Sequence, residues 1–221
     1  MNYKQLFLAA SVACAAFVGC SEVEIERSSD GFFYPYGFVA DTLRYYHGEV
    51  ELRFPNVSSY SYEKGGTSKE LYKKYVYYFN DLGYRADYQN CLFGCDDDWG
   101  DPWRYCCVCD IKSIHVVTNQ DFDKDHPAGS SIDDILTINM CSAYPYIKSG
   151  YKDYHYYDSF ELQNIDPDFL KLNAAEFGNL RFNKKPETRG YFTFTVSIEM
   201  GADPVSGDTP QLQPQEFTIY F

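Results

Sequence analysis

The chain is poor in histidine, tryptophan, methionine and basic residues. Among 221 residues there are 4 histidines, 2 tryptophans and 3 methionines, and 19 lysines and arginines stand against 32 aspartates and glutamates. A formal charge of −13 argues against nucleic acid, whose phosphates demand basic patches, and against a polybasic membrane-surface binder. His47, His115, His126 and His155 are scattered, with no helical His/Glu pair. There is no Gly-x-Ser-x-Gly elbow and no phosphate-cradling glycine loop. The apolar run from Leu6 to Val18 is too short to span a bilayer comfortably. No internal repeat is visible, and no cofactor is implied.

What is abundant is aromatic. Phe, Trp and Tyr make up 19% of the chain, with 22 tyrosines, and hydrophobic residues reach 45%, enough for a core. This bias suits pleated surfaces. Val50, Leu52 and Phe54 alternate with Glu49, Glu51 and Arg53, a strand with one wet face. Phe192, Phe194, Val196, Ile198 and Met200 repeat the pattern over 191–200, as do Phe217, Ile219 and Phe221, with a loop over 201–214 between them. Residues 57–66 read as a loop. Thr67-Ser68-Lys69-Glu70 is a capping box that opens a helix with Leu71, Tyr75, Phe79 and Leu82 on one face and Gly83 as its stop. Ile135 to Met140 reads as a short strand, and Asp166-Pro167 as the start of a short helix. The expected fold is mainly β: an immunoglobulin-like antiparallel β-sandwich with one or two short helices, tied by disulfides.

The N-terminus reads as a targeting segment. Phe17-Val18-Gly19-Cys20 closes the apolar run and resembles the bacterial lipobox, in which the signal is cut before a cysteine that is then acylated. The expected organisation is a signal peptide over 1–19, an acidic tether over 20–34 and a single β-rich domain over 35–221. Cys20 is the expected lipidation site, and the membrane a partner through that anchor. The acid-rich run after Cys20 resembles the segment that follows the lipidated cysteine in surface-exposed lipoproteins of the Bacteroidota.

Six further cysteines follow: Cys91, Cys95, Cys106, Cys107, Cys109 and Cys141. In an exported chain they read first as disulfides. Cys106 and Cys107 are adjacent, and Cys107 and Cys109 are two apart on an expected strand, so each clustered cysteine needs a partner from outside. Cys91, Cys95 and Cys141 are those partners, in an order the spacing leaves open. A thiolate metal site is the weaker reading, because the spacing is not a zinc knuckle.

Asp121, Asp123 and Asp125 stand at positions one, three and five of a calcium-like loop, but His126 fills position six and Ile132 position twelve, where Gly and Glu are wanted. The plain reading is a solvated turn. Trp99, Trp103 and the tyrosines of 144–157 are of a kind that stacks on sugar rings, but lining sheets and packing loops is the preferred reading.

Together the lipobox, Cys106-Cys107-Val108-Cys109-Asp110, the Asp121-to-Ser131 turn and the terminal strand pair resemble a family of uncharacterised Bacteroidota lipoproteins. The resemblance is best over 105–135, weaker over 180–221 and indistinct over 30–100. It implies a β-rich domain anchored at the outer membrane, on the cell surface or the periplasmic face, and no activity. The expected function is a non-enzymatic module binding a glycan or protein partner. The alternative is a secreted carboxylate-dependent hydrolase, for which no catalytic residues stand out.

Overall fold

A computed structural model describes residues 31–42, 49–61, 67–85, 105–153 and 155–221. The described chain is mainly β. Its strands are β1 (Gly31–Pro35), β2 (Val39–Thr42), β3 (Glu49–Arg53), β4 (Val57–Ser61), β5 (Tyr105–Cys107), β6 (Ile111–Thr118), β7 (Leu136–Ser142), β8 (Tyr157–Glu161), β9 (Asn173–Phe182), β10 (Tyr191–Met200) and β11 (Gln215–Tyr220). Two helices, α1 (Thr67–Asn80) and α2 (Tyr144–Lys148), and short 3-10 turns join them. The strands form three sheets, ordered β4-β1-β5, β11-β10-β6 and β2-β3-β9-β7-β8. One buried hydrophobic cluster runs through all of them.

The alternating strands behave as their pattern demands. In β10, Phe192, Phe194, Val196, Ile198 and Met200 are buried while Tyr191 and Glu199 face out. It pairs antiparallel with β11 and β6. Val50 and Leu52 of β3 are fully buried and their neighbours half-buried.

Four expectations need correction. First, β1 begins inside the segment read as tether: Phe32 and Phe33 lie in the core, and β1 is the middle strand of its sheet, antiparallel to β4 and parallel to β5. That parallel pair also departs from a purely antiparallel fold. Second, residues 57–61, read as loop, form β4; its serines meet β1 through backbone pairing, which needs no apolar side chain.

Third, the cysteine stretch is not one strand. The chain bends after Cys107 and changes sheets: Val108 N–H still bonds Phe33 O at 2.9 Å, then Asp110 O accepts from Gly201 N–H at 2.7 Å as β6 begins. Alternation therefore does not carry from Cys107 to Cys109, and all three clustered cysteines are buried.

Fourth, the buried stripe of α1 is Tyr72, Tyr75, Val76 and Phe79, at spacings of three and four, with Leu71 and Leu82 only half-buried. The aromatic ring of Phe32 turns the helix this way, with centroids 5.8 Å from Tyr72, 5.8 Å from Tyr75 and 5.0 Å from Phe79. The Tyr75 hydroxyl donates to Asp203 Oδ2 at 2.5 Å and ties α1 to the 201–214 loop. Gly83 does stop the helix, at φ +93°, as expected.

Candidate functional site

The acidic turn after β6 is a knot, solvated at its rim but tied by a buried centre, Asp123 and His126. Asp123 Oδ1 accepts from the backbone N–H groups of Asp125 at 2.8 Å and His126 at 3.0 Å, and pairs with His126 Nδ1 at 2.8 Å. Its Oδ2 pairs with Lys184 Nζ at 2.7 Å. Asp121 Oδ1 accepts from Ala128 N–H at 2.9 Å. Two of the three carboxylates expected of a calcium loop are thus committed to protein donors, and an ammonium sits where a cation would. Lys184 lowers the Asp123 carboxyl below its usual range, and donation from Asp125 N–H and His126 acts the same way against burial. The knot shapes the fold.

Of the expected cysteine partners only Cys141 is among the described residues. Cys91 and Cys95 fall outside the described residues, as does Cys20. No disulfide joins one described cysteine to another; Cys107, Cys109 and Cys141 are thiols. Cys141 is on the opposite face of β7 from Leu136, Ile138 and Met140, which enter the core, so it points away from the 106–109 cluster. Burial pushes the thiols of Cys109 and Cys141 up to about 12, and that of Cys107 upward as well. None of these three is a ready thiolate nucleophile. Among the described residues no group of three or more His, Cys, Asp or Glu is placed to hold a metal.

Trp99 and Trp103 also lie outside the described residues. Of the tyrosines between 144 and 157, Tyr146 is buried against Tyr151 and Tyr156, which is loop packing. Tyr157 differs: it is 56% exposed, at the start of the edge strand β8.

Tyr157 stands beside a hollow on the outer face of the five-stranded sheet. Glu51, Asn139, Cys141, Glu176, Gly178 and Asn179 line the rest of it, around a cavity of about 70 Å³. Register assembles it: Glu51 of β3 lies opposite Asn179 of β9, which lies opposite Asn139 of β7. The next outward pair across β7 and β8 is Cys141 and Tyr157.

No family model, curated protein or solved structure matches this chain.

The hollow must therefore be read from its own groups. Burial, reinforced by the charge of Glu176, pushes the Glu51 carboxyl above its usual range, and Arg53 only partly offsets this. Arg53 is held elsewhere: its Nη2 donates to Asp41 Oδ2 at 2.8 Å, while its Nε stays 3.6 Å from Glu51 Oε2. Asn179 Oδ1 is buried without a hydrogen-bond partner. Burial and the neighbouring Cys141 raise the Tyr157 hydroxyl, so it stays neutral and pairs with that thiol. The site offers an aromatic ring, two amides and two carboxylates, with no activated nucleophile. Sequence reasoning named Tyr157 and Cys141 but missed Glu51, Asn139, Glu176 and Asn179. Glu51 was visible only as a wet-face residue of β3, and the rest carry no local signal.

Proposed function

We propose that the chain is an exported, lipid-anchored binding module that takes a glycan on the outer face of its five-stranded sheet. The observation that carries this reading is the exposed Tyr157 ring beside a polar hollow. A tyrosine offers a flat apolar platform with a polar tip, and amides and carboxylates match hydroxyls with both acceptors and donors. Asn139, Glu176 and Ser159 lie exposed on the same face. The hollow is too small for a sugar ring, so the ring lies on Tyr157 and only a substituent enters. Anchoring at Cys20, location at the outer membrane, and kinship with the Bacteroidota lipoproteins belong to this proposal and rest on the sequence. So does the immunoglobulin-like sandwich. Its support is the single continuous core shared by the sheets.

The test is a glycan array on the soluble chain, followed by titration of the best binder against the wild type and Tyr157→Ala. The expected loss of affinity is about tenfold or more, or about 1.4 kcal/mol. Undiminished binding by the variant would move the ligand off this face, and capture of a protein partner alone would replace the glycan. The hydrolase alternative draws on Glu51 and Glu176, two carboxylates that line the same hollow. Cleavage of the bound glycan, abolished by Glu51→Gln, would turn the assignment that way.

A further inference from the structure

The groups around the hollow are unbalanced in one respect: two carboxylates face one cation. Glu176 lies opposite Arg53 across β3 and β9, and its charge acts on that guanidinium. Glu51 is ion-paired with the same side chain, the Arg53 Nε at 3.6 Å, while the Arg53 Nη2 is held by Asp41. Asn179 Oδ1 is enclosed and has no donor. These acceptors come from adjacent strands β3 and β9, and register brings Glu51 and Asn179 face to face. The Tyr157 hydroxyl is engaged with Cys141, and the Asn139 amide stands at the exposed rim.

We infer that the hollow takes the ammonium group of an amino sugar whose ring rests on Tyr157. This rests on the glycan reading and names the ligand class within it. An ammonium carries three donors and no acceptor, which complements two carboxylates and one orphan amide oxygen. A neutral hydroxyl supplies one donor and brings lone pairs that face the same carboxylates. A carboxylate or sulfate substituent meets them with like charge. The cavity of about 70 Å³ has room for a small head group with a few waters, since one water needs about 10–15 Å³ of such space. An N-acetyl group is bulkier and brings no charge. The exposed Tyr157 ring adds a favourable surface for a cation at the mouth. The whole chain, at −13, draws a cationic saccharide toward it and repels an acidic one.

The experiment is calorimetric titration of the full chain with three tetrasaccharides of matched β-1,4 backbone: glucosamine, N-acetylglucosamine and glucose. It is run at about pH 6, where an amine of ordinary pKa is charged. The glucosamine form is expected to bind about tenfold or more tightly than the other two. Glu176→Gln should erase most of that preference, and Asn179→Asp, which adds a charge at the orphan oxygen, should widen it. Equal affinity for all three saccharides overturns the ammonium assignment and leaves the glycan reading standing. Binding of none of the three, with binding of lysine amide, overturns both. A preference that survives Glu176→Gln also overturns it. The comparison of ligands on the wild-type chain needs no variant to fold.

Discussion

His126 has a carboxylate at each ring nitrogen: Asp123 Oδ1 lies 2.8 Å from Nδ1, and Asp134 Oδ1 lies 3.1 Å from Nε2. Two acceptors call for two N–H donors, so the doubly protonated imidazolium is the form that fits. Burial opposes this charge, but the hydrogen bonds to Asp123 and Asp134 and the charges of both outweigh it, and the pKa rises above 6.5. A raised pKa contributes stability that is fully present below the unfolded value and is lost as pH rises through the folded one. Asp123 has the opposite sign. Its lowered pKa contributes stability above the ordinary aspartate value, lost as pH falls through the folded one. The knot is therefore strongest between about pH 4 and about pH 6.5. His126→Gln should lower the thermal midpoint by several degrees at about pH 5.5, and by clearly less at about pH 8.5. Parallel midpoint curves for the two proteins across that range would show that His126 is not charged in the folded state. Lys184 remains charged throughout and keeps Asp123 paired at both conditions.

At the scale of elements, β1 is held by a close approach that only glycine permits. A Cβ on Gly31 would collide with the Tyr105 ring and lie 2.6 Å from the Tyr60 carbonyl oxygen. Tyr60 belongs to β4 and Tyr105 to β5, so Gly31 sits where the two flanking strands meet β1. Gly31→Ala should cost about 1–3 kcal/mol, as overpacking does, read as a lower urea midpoint with unchanged slope. An unchanged midpoint would mean that β5 yields freely. Strands with one wet face were legible in the sequence: β3, β10 and β11 alternate because one side meets the core and the other meets water. Strand β9 was not, although it is central to the largest sheet. Its register shifts opposite Leu52 and Arg53, so Ala174, Phe177 and Leu180 enter the core at a spacing of three. That spacing does not read as a strand. Strand β4 escaped because its serines are held by backbone pairing, and β1 because it follows directly on an acidic run. The helix was legible in extent, but its buried stripe depended on Phe32, which is distant in sequence. The hollow was the least legible feature, since Glu51, Asn139, Cys141, Tyr157, Glu176 and Asn179 come from four strands joined only by register.

For the whole molecule, the division between tether and domain decides what folds. The expected tether runs to residue 34, whereas Gly31–Pro35 is a structural strand. Phe32 and Phe33 are buried to 0% and 1% exposure, and burying each is worth about 1.5–3 kcal/mol. Phe32 also packs on α1 and on Tyr84, so losing β1 would unseat the helix. It would leave β4 and β5 with no partner between them, since both pair only through β1 in that sheet. Those losses together approach the whole net stability of a domain, about 5–15 kcal/mol. A chain that begins at Asp30 should melt cooperatively at the same midpoint as one that begins at Ser21. A chain that begins at Tyr36 should lose cooperative melting and be cleaved rapidly by protease within α1. Melting curves and limited proteolysis of the three chains check this directly. If the shortest chain melts like the others, the core closes without β1, and the domain begins at residue 35 as first expected.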